Sequence, residues 1–346
     1  MPLILPAVPP ACRSTVVVVR ARGRAAGLMI GILADAVLGD PRRGHPVAGF
    51  GTLAAGLERR LYRDSRAAGA AYTTVLVGGT VAAGALAEHA LRRGFRRGPR
   101  HGLWRGAARS PAPTVLVTAA ATWAVLGGSS LVREGSALAT ALDADDLAAA
   151  RARIPSLCAR DPELLDADGM ARAGVESLAE NTSDAVVGPL VWGAVAGVPG
   201  LLGYRAVNTL DAMVGYRSPR YERFGWAAAR LDDLVNLVPS RVTAVLTVAL
   251  APLVGGSPRD AARTWRRDAA GHPSPNAGPV EATAAGALGL RLGGTTTYAY
   301  GVEERPALGD GDPPRVPDLH RAARLSRLVA AAAGALAVGV AWVRAG

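Results

Sequence analysis

The stretch Ala185–Tyr204, AVVGPLVWGAVAGVPGLLGY, is apolar along its whole length. It matches the roughly 20 residues that a spanning helix needs. It cannot run as one regular helix, because it holds five glycines (Gly188, Gly193, Gly197, Gly200, Gly203) and two prolines (Pro189, Pro199). Glycine loosens a helix interior, and proline removes an amide donor from it. Broken or re-entrant helices persist at membrane depth where protein buries them or water reaches them. The stretch is therefore expected to dip in and return, leaving its two flanks on one face.

Those flanks are polar. Glu180-Asn-Thr-Ser-Asp184 precedes the stretch, and Asn208-Thr-Leu-Asp211 follows it. Arg230-Leu-Asp-Asp233 and His272-Pro-Ser-Pro-Asn276 come later in the chain. Ionisable groups beside membrane-grade apolar sequence are costly, and their default reading is a functional site.

The rest of the chain supports a membrane fold. Further apolar segments are Ala26–Leu38, Ala70–Leu91, Pro113–Leu131, Leu234–Gly255 and Leu328–Val343. Half the 346 residues are hydrophobic and only 5% aromatic, so small residues dominate, as close helix packing in a bilayer requires. Gly255–Arg327 is Gly/Pro-rich and polar, and reads as a large loop with short helices. Strand patterns are almost absent. The expected fold is all-α: a polytopic integral membrane helical bundle with broken or re-entrant helices and a long polar loop. Residues 26–346 form one membrane-embedded domain. Residues 1–25 read as a disordered extension, or as sequence ahead of a true start at Met29.

Arg92, Arg93, Arg96, Arg97, Arg100, Arg105 and Arg109 follow the second apolar segment with no acid among them. By the positive-inside rule this loop is cytoplasmic. Simple alternation would then divide the polar clusters between the two faces, which the re-entrant reading avoids.

Every basic residue is arginine; lysine is absent. A pyridoxal phosphate Schiff base and a P-loop lysine are thereby excluded. The net charge of +11 is not interleaved with aromatics, and no nucleic-acid motif appears, which argues against a nucleic-acid partner. Cys12 and Cys158 fit neither a disulfide framework nor a zinc site.

Glu176, Glu180 and Asp184 lie at i, i+4 and i+8, within roughly an 80° arc of a helix. Such a row suits Mg²⁺ shared with a substrate phosphate, and equally suits a solvated face with a helix cap. Arg205, Asn208 and Asp211 follow at steps of three, and arginine grips phosphate or carboxylate through its planar fork. Arg217, Arg220 and Arg223 read as headgroup anchors. Asp232, Asp233 and Asn236 stand at the mouth of an apolar segment, where either acid could pair with Arg241. His272 sits in a stiff Pro-x-Pro frame with Glu281 soon after, and Asp40–His45 forms a similar, weaker polar loop.

Taken in order, these clusters resemble one family. Leu38-Gly-Asp-Pro41 with His45-Pro-Val47 comes first, then Glu176–Asp184 and Asn208–Tyr216. Phe224–Asp233 with Asn236 follows, and last come His272–Gly278, Glu281-Ala282 and Ala285–Leu288. The chain is similar, from about residue 29 to 325, to the cobalamin biosynthesis CobD/CbiB family of integral membrane proteins, the adenosylcobinamide-phosphate synthases. The resemblance implies an activity at the cytoplasmic membrane. There (R)-1-amino-2-propanol or its O-phosphate is joined to the carboxylate of adenosylcobyric acid, with consumption of ATP and Mg²⁺. The sequence departs from the family in having Arg205 where lysine is usual, Ala212 for serine and Ser240 for alanine.

On that reading Glu176, Glu180, Asp184 and Asp232 would hold Mg²⁺, with Asp184 and Asp233 at the reacting centre. Arg205, Arg241, Asp211 and His45 would bind substrate. Asn181, Asn208 and Asn276 would meet the corrinoid amides, and His272 or Glu281 would take the proton of the attacking ammonium. A transporter of a corrinoid or anionic solute, or a membrane scaffold for biosynthetic enzymes, are the competing readings.

Overall fold

The computed structural model describes residues 10–41, 44–97, 111–216, 218–298 and 301–344. Arg100, Arg105, Arg109 and Arg217 therefore lie outside the described residues, as does the first part of the 1–25 extension. The chain runs α1 (Pro10–Leu38), α2 (Pro46–Leu61), α3 (Arg66–Arg97), α4 (Ala112–Val125), α5 (Gly128–Asp143) and α6 (Leu147–Arg151). Next come α7 (Ala167–Thr182), a π-turn at Ser183–Val187, α8 (Gly188–Ala196), α9 (Val198–Val214), α10 (Trp226–Val235) and α11 (Leu237–Leu250). Last are α12 (Pro258–Asp268), α13 (Ala277–Leu288), the strands β1 (Leu292–Tyr298) and β2 (Gly301–Leu308), and α14 (Val316–Val343).

The protein is an all-α membrane bundle. Segments Arg66–Leu91, Ala112–Asp143, Leu237–Val254 and Val316–Val343 are long and apolar enough to cross a bilayer. Their outer faces leave Val75, Leu86, Leu116, Val245, Leu336 and Val340 exposed, as a lipid-facing belt requires. The backbone from Pro10 onward is helix α1, and no proline interrupts residues 11–38. One expectation is corrected. The Gly255–Arg327 region does hold short helices, but α13 is buried at every position, and an antiparallel hairpin joins β1 to β2.

Packing rests on small residues. Gly23, Gly27 and Gly31 on α1 recur every fourth residue and meet Thr114, Thr118 and Thr122 on α4, which keep the same period. A Cβ at Gly27 would lie 2.6 Å from Thr118 Cβ. The two helices run parallel in contact along this seam, as small-residue stripes allow.

The Ala185–Tyr204 stretch reverses, as its glycines and prolines suggest. The break is Gly197, whose φ of +69° favours glycine. α8 arrives and α9 departs, and the two pack on each other. A Cβ at Gly200 would run into the Trp192 carbonyl, so glycine is needed for the close return. Charge caps the turn. Arg24 Nη1 donates to the Ala194 and Val195 carbonyls at 3.4 and 3.3 Å, and Arg344 Nη1 donates to Val195 at 3.1 Å. Glu88 Oε1 accepts from Val198 N at 3.2 Å. Cations at the end of α8 and an anion at the start of α9 match the two helix dipoles.

The turn also fixes which loops share a face. Gly84 and Glu88 of α3 lie against Pro199 and Val198, whereas Gly69 at the other end of α3 meets Phe224. Gly23 beside Pro111 puts the start of α4 at the Gly197 end as well. The helix ends that flank the Arg92–Arg109 loop therefore lie with Gly197. Asp211 and Gly215 lie at the far end of α9, about 25 Å away at 1.5 Å per residue. A cytoplasmic Arg92–Arg109 loop and polar clusters facing the cytoplasm cannot both hold.

Replacing Gly27 with leucine forces α1 off α4. Overpacking typically costs about 1–3 kcal/mol, so the detergent-solubilised variant is expected to melt several degrees below the parent. Gly79→Leu, where no atom lies within 4 Å of the added Cβ, serves as the control and is expected to melt near the parent.

Candidate active site

The geometry of the site begins with Pro189. It has no N–H to give to the Ala185 carbonyl, which instead accepts from Gly127 N at 3.3 Å. The ladder widens, and Gly188 N reaches back five residues to Ser183 O. Such π-turns recur at functional sites, and this one carries Asp184. Gly188 leaves room for the Tyr204 ring of α9, which a Cβ there would strike.

Around this point the polar clusters converge on a cavity of about 600 Å³. Glu180 and Asp184 line one wall, Asp211 enters from α9, and Asp232 and Asp233 enter from α10. His272, Ser274 and Asn276 close another side, and Glu304 and Arg305 of β2 complete it. Six carboxylates thus face two lining arginines, Arg230 and Arg305. Arg230 is largely spent on the rim, 65% exposed and 3.3 Å from Asp233.

Hydrogen bonds hold the acids in place. Asn208 Nδ2 donates to Asp184 Oδ2 at 3.3 Å. Tyr204 Oη donates to Asn236 Oδ1 at 2.7 Å, and Asn236 Nδ2 donates to Asp232 Oδ2 at 2.9 Å. Asp232 Oδ1 is buried with no partner among the described residues. Burial first, and then the neighbouring Asp211 carboxylate, push the Asp232 carboxyl up to about 7. On the opposite side Arg241 Nη1 donates to Asn276 Oδ1 at 2.9 Å, and Asn276 Nδ2 donates to the Asp233 carbonyl at 2.8 Å. Arg241 thus bonds the loop amide and pairs with neither Asp232 nor Asp233.

Several expected site residues lie elsewhere. Glu176 is not a metal ligand in this fold: it is buried in an ion pair with Arg160, and its Oε1 accepts from Gly293 N at 2.8 Å. The acidic row is split, with only Glu180 and Asp184 reaching the cavity. Asn181 bonds back to the Ser177 carbonyl at 3.0 Å. Arg205 sits behind the wall, with Nη1 3.5 Å from Asn208 Oδ1, so it supports Asn208 rather than meeting a ligand. His45 is the N-cap of α2, its Nδ1 accepting from Val47 N at 3.1 Å. Glu281 lies behind the lining, with Oε1 3.8 Å from His272 Nε2. Burial pushes the Glu281 carboxyl well above its usual range, with Glu176 and Glu180 adding to the effect. Burial also lowers the His272 imidazole. Ser274 N donates to His272 Nδ1 at 3.0 Å, which leaves Nε2 as the protonated nitrogen of the neutral ring.

Arg160 and Arg305 were not anticipated. Arg160 carries no local motif, since its partner lies sixteen residues away, beyond the 3₁₀ turn Pro162–Leu164. Arg305 lies in the hairpin, whose signal was the run Thr295-Thr-Thr-Tyr298, rich in strand formers.

Among the described residues no group of three or more His, Cys, Asp or Glu side chains is arranged as a ready metal site. The donor set still fits a hard cation. Glu180, Asp184 and Asp232 offer only oxygen, share one cavity, and include the unpartnered Asp232 Oδ1.

The fold and site define a membrane-embedded helical protein with a carboxylate-rich cavity at one end of the bundle. Residues 28–326 match the CobD/Cbib protein family. Over 321 residues the chain is 56% identical to "Cobalamin biosynthesis protein CobD" of Mycobacterium tuberculosis, covering 93% of this chain and 97% of that protein. The like-named protein of Chromobacterium violaceum is 41% identical over 298 residues, 86% of this chain and 90% of its own. That of Rhodobacter capsulatus is 40% identical over 312 residues, 88% and 93% respectively. No solved structure matches the chain at a significant level. The chain belongs to the CobD/CbiB family of cobalamin biosynthesis proteins.

Asp232 gives a pH test. Its proton is held to about pH 7 in the fold and to about 3.8 in the unfolded chain. The folded protein therefore loses this contribution as pH rises between those values. Asp232→Asn is expected to raise the melting temperature over the parent more at pH 8 than at pH 5. An equal gain at both, or the reverse order, would contradict the burial of an uncompensated charge here.

Proposed function

We propose that the cavity is the site of an ATP-dependent amide ligation, joining (R)-1-amino-2-propanol or its O-phosphate to the carboxylate of adenosylcobyric acid. The observation that carries this reading is the convergence of Glu180, Asp184, Asp211 and Asp232 in one cavity whose lining holds more carboxylates than cations. Such a site calls for cationic ligands, and the proposed reaction brings two: a metal on the nucleotide and the ammonium of the amine. The names of the relatives, all cobalamin biosynthesis proteins, support the corrinoid as substrate.

A carboxylate does not condense with an amine at neutral pH until it is activated. Its oxygen takes the terminal phosphoryl group of ATP with release of ADP; the amine nitrogen then attacks the acyl carbon and phosphate departs. Glu180, Asp184 and Asp232 would hold Mg²⁺, which supplies charge neutralisation on the phosphates. The ammonium must lose a proton before it attacks. His272 and Glu281 are poorly placed for this, because Nδ1 of His272 is occupied by Ser274 and Glu281 is outside the lining. Asp211 is better suited: it lines the cavity outside the metal-holding set, and burial, then the Asp233 carboxylate, push its carboxyl up to about 6. It would both orient the ammonium and take its proton, and Asn276, braced by Arg241, would meet a corrinoid amide.

ATP resides in the cytoplasm, so the cavity end of the bundle faces it and the protein sits in the cytoplasmic membrane with the Gly197 turn outward. Arginines occur at the cavity end too: Arg59, Arg60, Arg63 and Arg66 flank the α2–α3 connection. The charge bias is then shared between the two ends, and the Arg92–Arg109 loop does not decide the orientation.

The test is product formation by detergent-solubilised protein with adenosylcobyric acid, Mg-ATP and each amine in turn. Asp184→Asn and Asp232→Asn are each expected to slow amide formation by about 10²-fold or more while still inserting in the membrane. Full activity in both variants, or no product from the parent, would reject the assignment.

A further inference from the structure

We propose that the β1–β2 hairpin is a working wall of the cavity, with Arg305 the residue that contacts the anionic end of the substrate and Glu176 a positioning residue that holds it there. This rests on the ligase reading for the identity of the anion, a carboxylate of the corrinoid acid.

The hairpin is irregular at one place. Leu292 pairs with Leu308, but Gly294 pairs with Arg305, so Pro306 and Ala307 together face the single residue Gly293. This is a β-bulge in β2, and Pro306, with no N–H for the ladder, suits it. Its effect on Arg305 follows from the two-residue period of a strand. Three residues apart, Arg305 and Leu308 would point to opposite faces of a regular strand. The extra residue restores them to the same face. Leu308 and Leu292 are completely buried, so the bulge turns Arg305 inward, where it lines the cavity.

The bulge is tied to α7. Gly293 has a φ of +81°, and a Cβ there would strike the Pro306 carbonyl. Its N–H is turned to Glu176 Oε1 at 2.8 Å, and its carbonyl accepts from Arg172 Nη1 at 3.0 Å. Arg172 Nη2 also donates to the Thr295 carbonyl at 2.8 Å. Arg160, buried beside Glu176, neutralises the carboxylate. One turn along the same helix Glu180 enters the cavity. A single helix therefore sets both the acidic wall and the hairpin that faces it.

The resulting cavity is polarised. Asp184, Asp211 and Asp232 occupy one side, and Arg305 brings a guanidinium close enough to Glu180, Glu281 and His272 for its charge to act on all three. Arg305 is the cation that the hairpin carries into this lining, and its fork accommodates a carboxylate with two parallel bonds.

The experiment is equilibrium binding of cobyric acid to the full-length protein in detergent, followed by its visible absorbance, with amide hydrogen exchange on the hairpin. Arg305→Gln is expected to weaken binding about tenfold or more, and Arg305→Lys to recover part of the loss. Glu176→Gln is expected to weaken binding while speeding exchange at residues 292–295, whereas Arg305→Gln leaves that exchange unchanged. Parent-like affinity in Arg305→Gln, no binding by the parent, or unchanged exchange in Glu176→Gln would overturn the proposal. Intact binding without amide formation would sink the ligase reading and leave this assignment standing.

Discussion

Chain reversal at Gly197 is the constraint from which the rest of the structure follows. A residue with a side chain is strained at a φ of +69°, and a continuous helix from Ala167 to Val214 would have carried Asp211 far beyond Asp184. Because α8 and α9 double back, Asn208 instead reaches Asp184 at 3.3 Å. The reversal also exposes helix-end carbonyls and amides in an apolar setting, and Arg24, Arg344 and Glu88 satisfy them. Those three residues have no contact with the cavity, yet its shape depends on them.

The second organising feature is charge left unbalanced. Away from the cavity Glu176 pairs with Arg160, and Glu58 with Arg220 and Tyr221, while the buried Asp35 accepts from Ser129 N and Oγ. In the cavity the acids are held by neutral amides and hydroxyls, from Asn208, Asn236 and Tyr204, which fix geometry without cancelling charge. A stable fold tolerates this where a ligand completes the site, because separating like charges from water is otherwise costly. Asp232, with one oxygen bonded and the other bare, shows the arrangement at the level of one side chain.

Much of this was legible in the sequence. Glycine and proline spacing in Ala185–Tyr204 located the break, and the amide-rich runs on either side located the residues it joins. Clusters at Asp232 and His272 were legible because polar residues are rare in such apolar surroundings. Glu176 was misread because periodicity places residues on a helix face and does not say what meets that face; Arg160 arrives from a loop with no repeating pattern. The α13 helix looked like loop because Gly278, Pro279 and Gly286 masked twelve residues that are wholly buried. Gly286 needs its missing side chain, since α12 backbone lies where a Cβ would be. Sidedness was not legible from one loop, because arginines occur at both ends of the bundle, after α3 and again at the α2–α3 connection.

Whether the two limbs of the Ala185–Tyr204 reversal open to the same face is measured most directly by cysteine accessibility. In a background with Cys12 and Cys158 replaced by serine, single cysteines at the exposed positions 216 and 196 and at position 274 are probed with a membrane-impermeant thiol reagent in inside-out and right-side-out vesicles. Positions 216 and 274 should label only from the cytoplasmic side, and position 196 only from the opposite one. Labelling of 216 and 274 from different sides would mean that the acidic residues do not share a cavity.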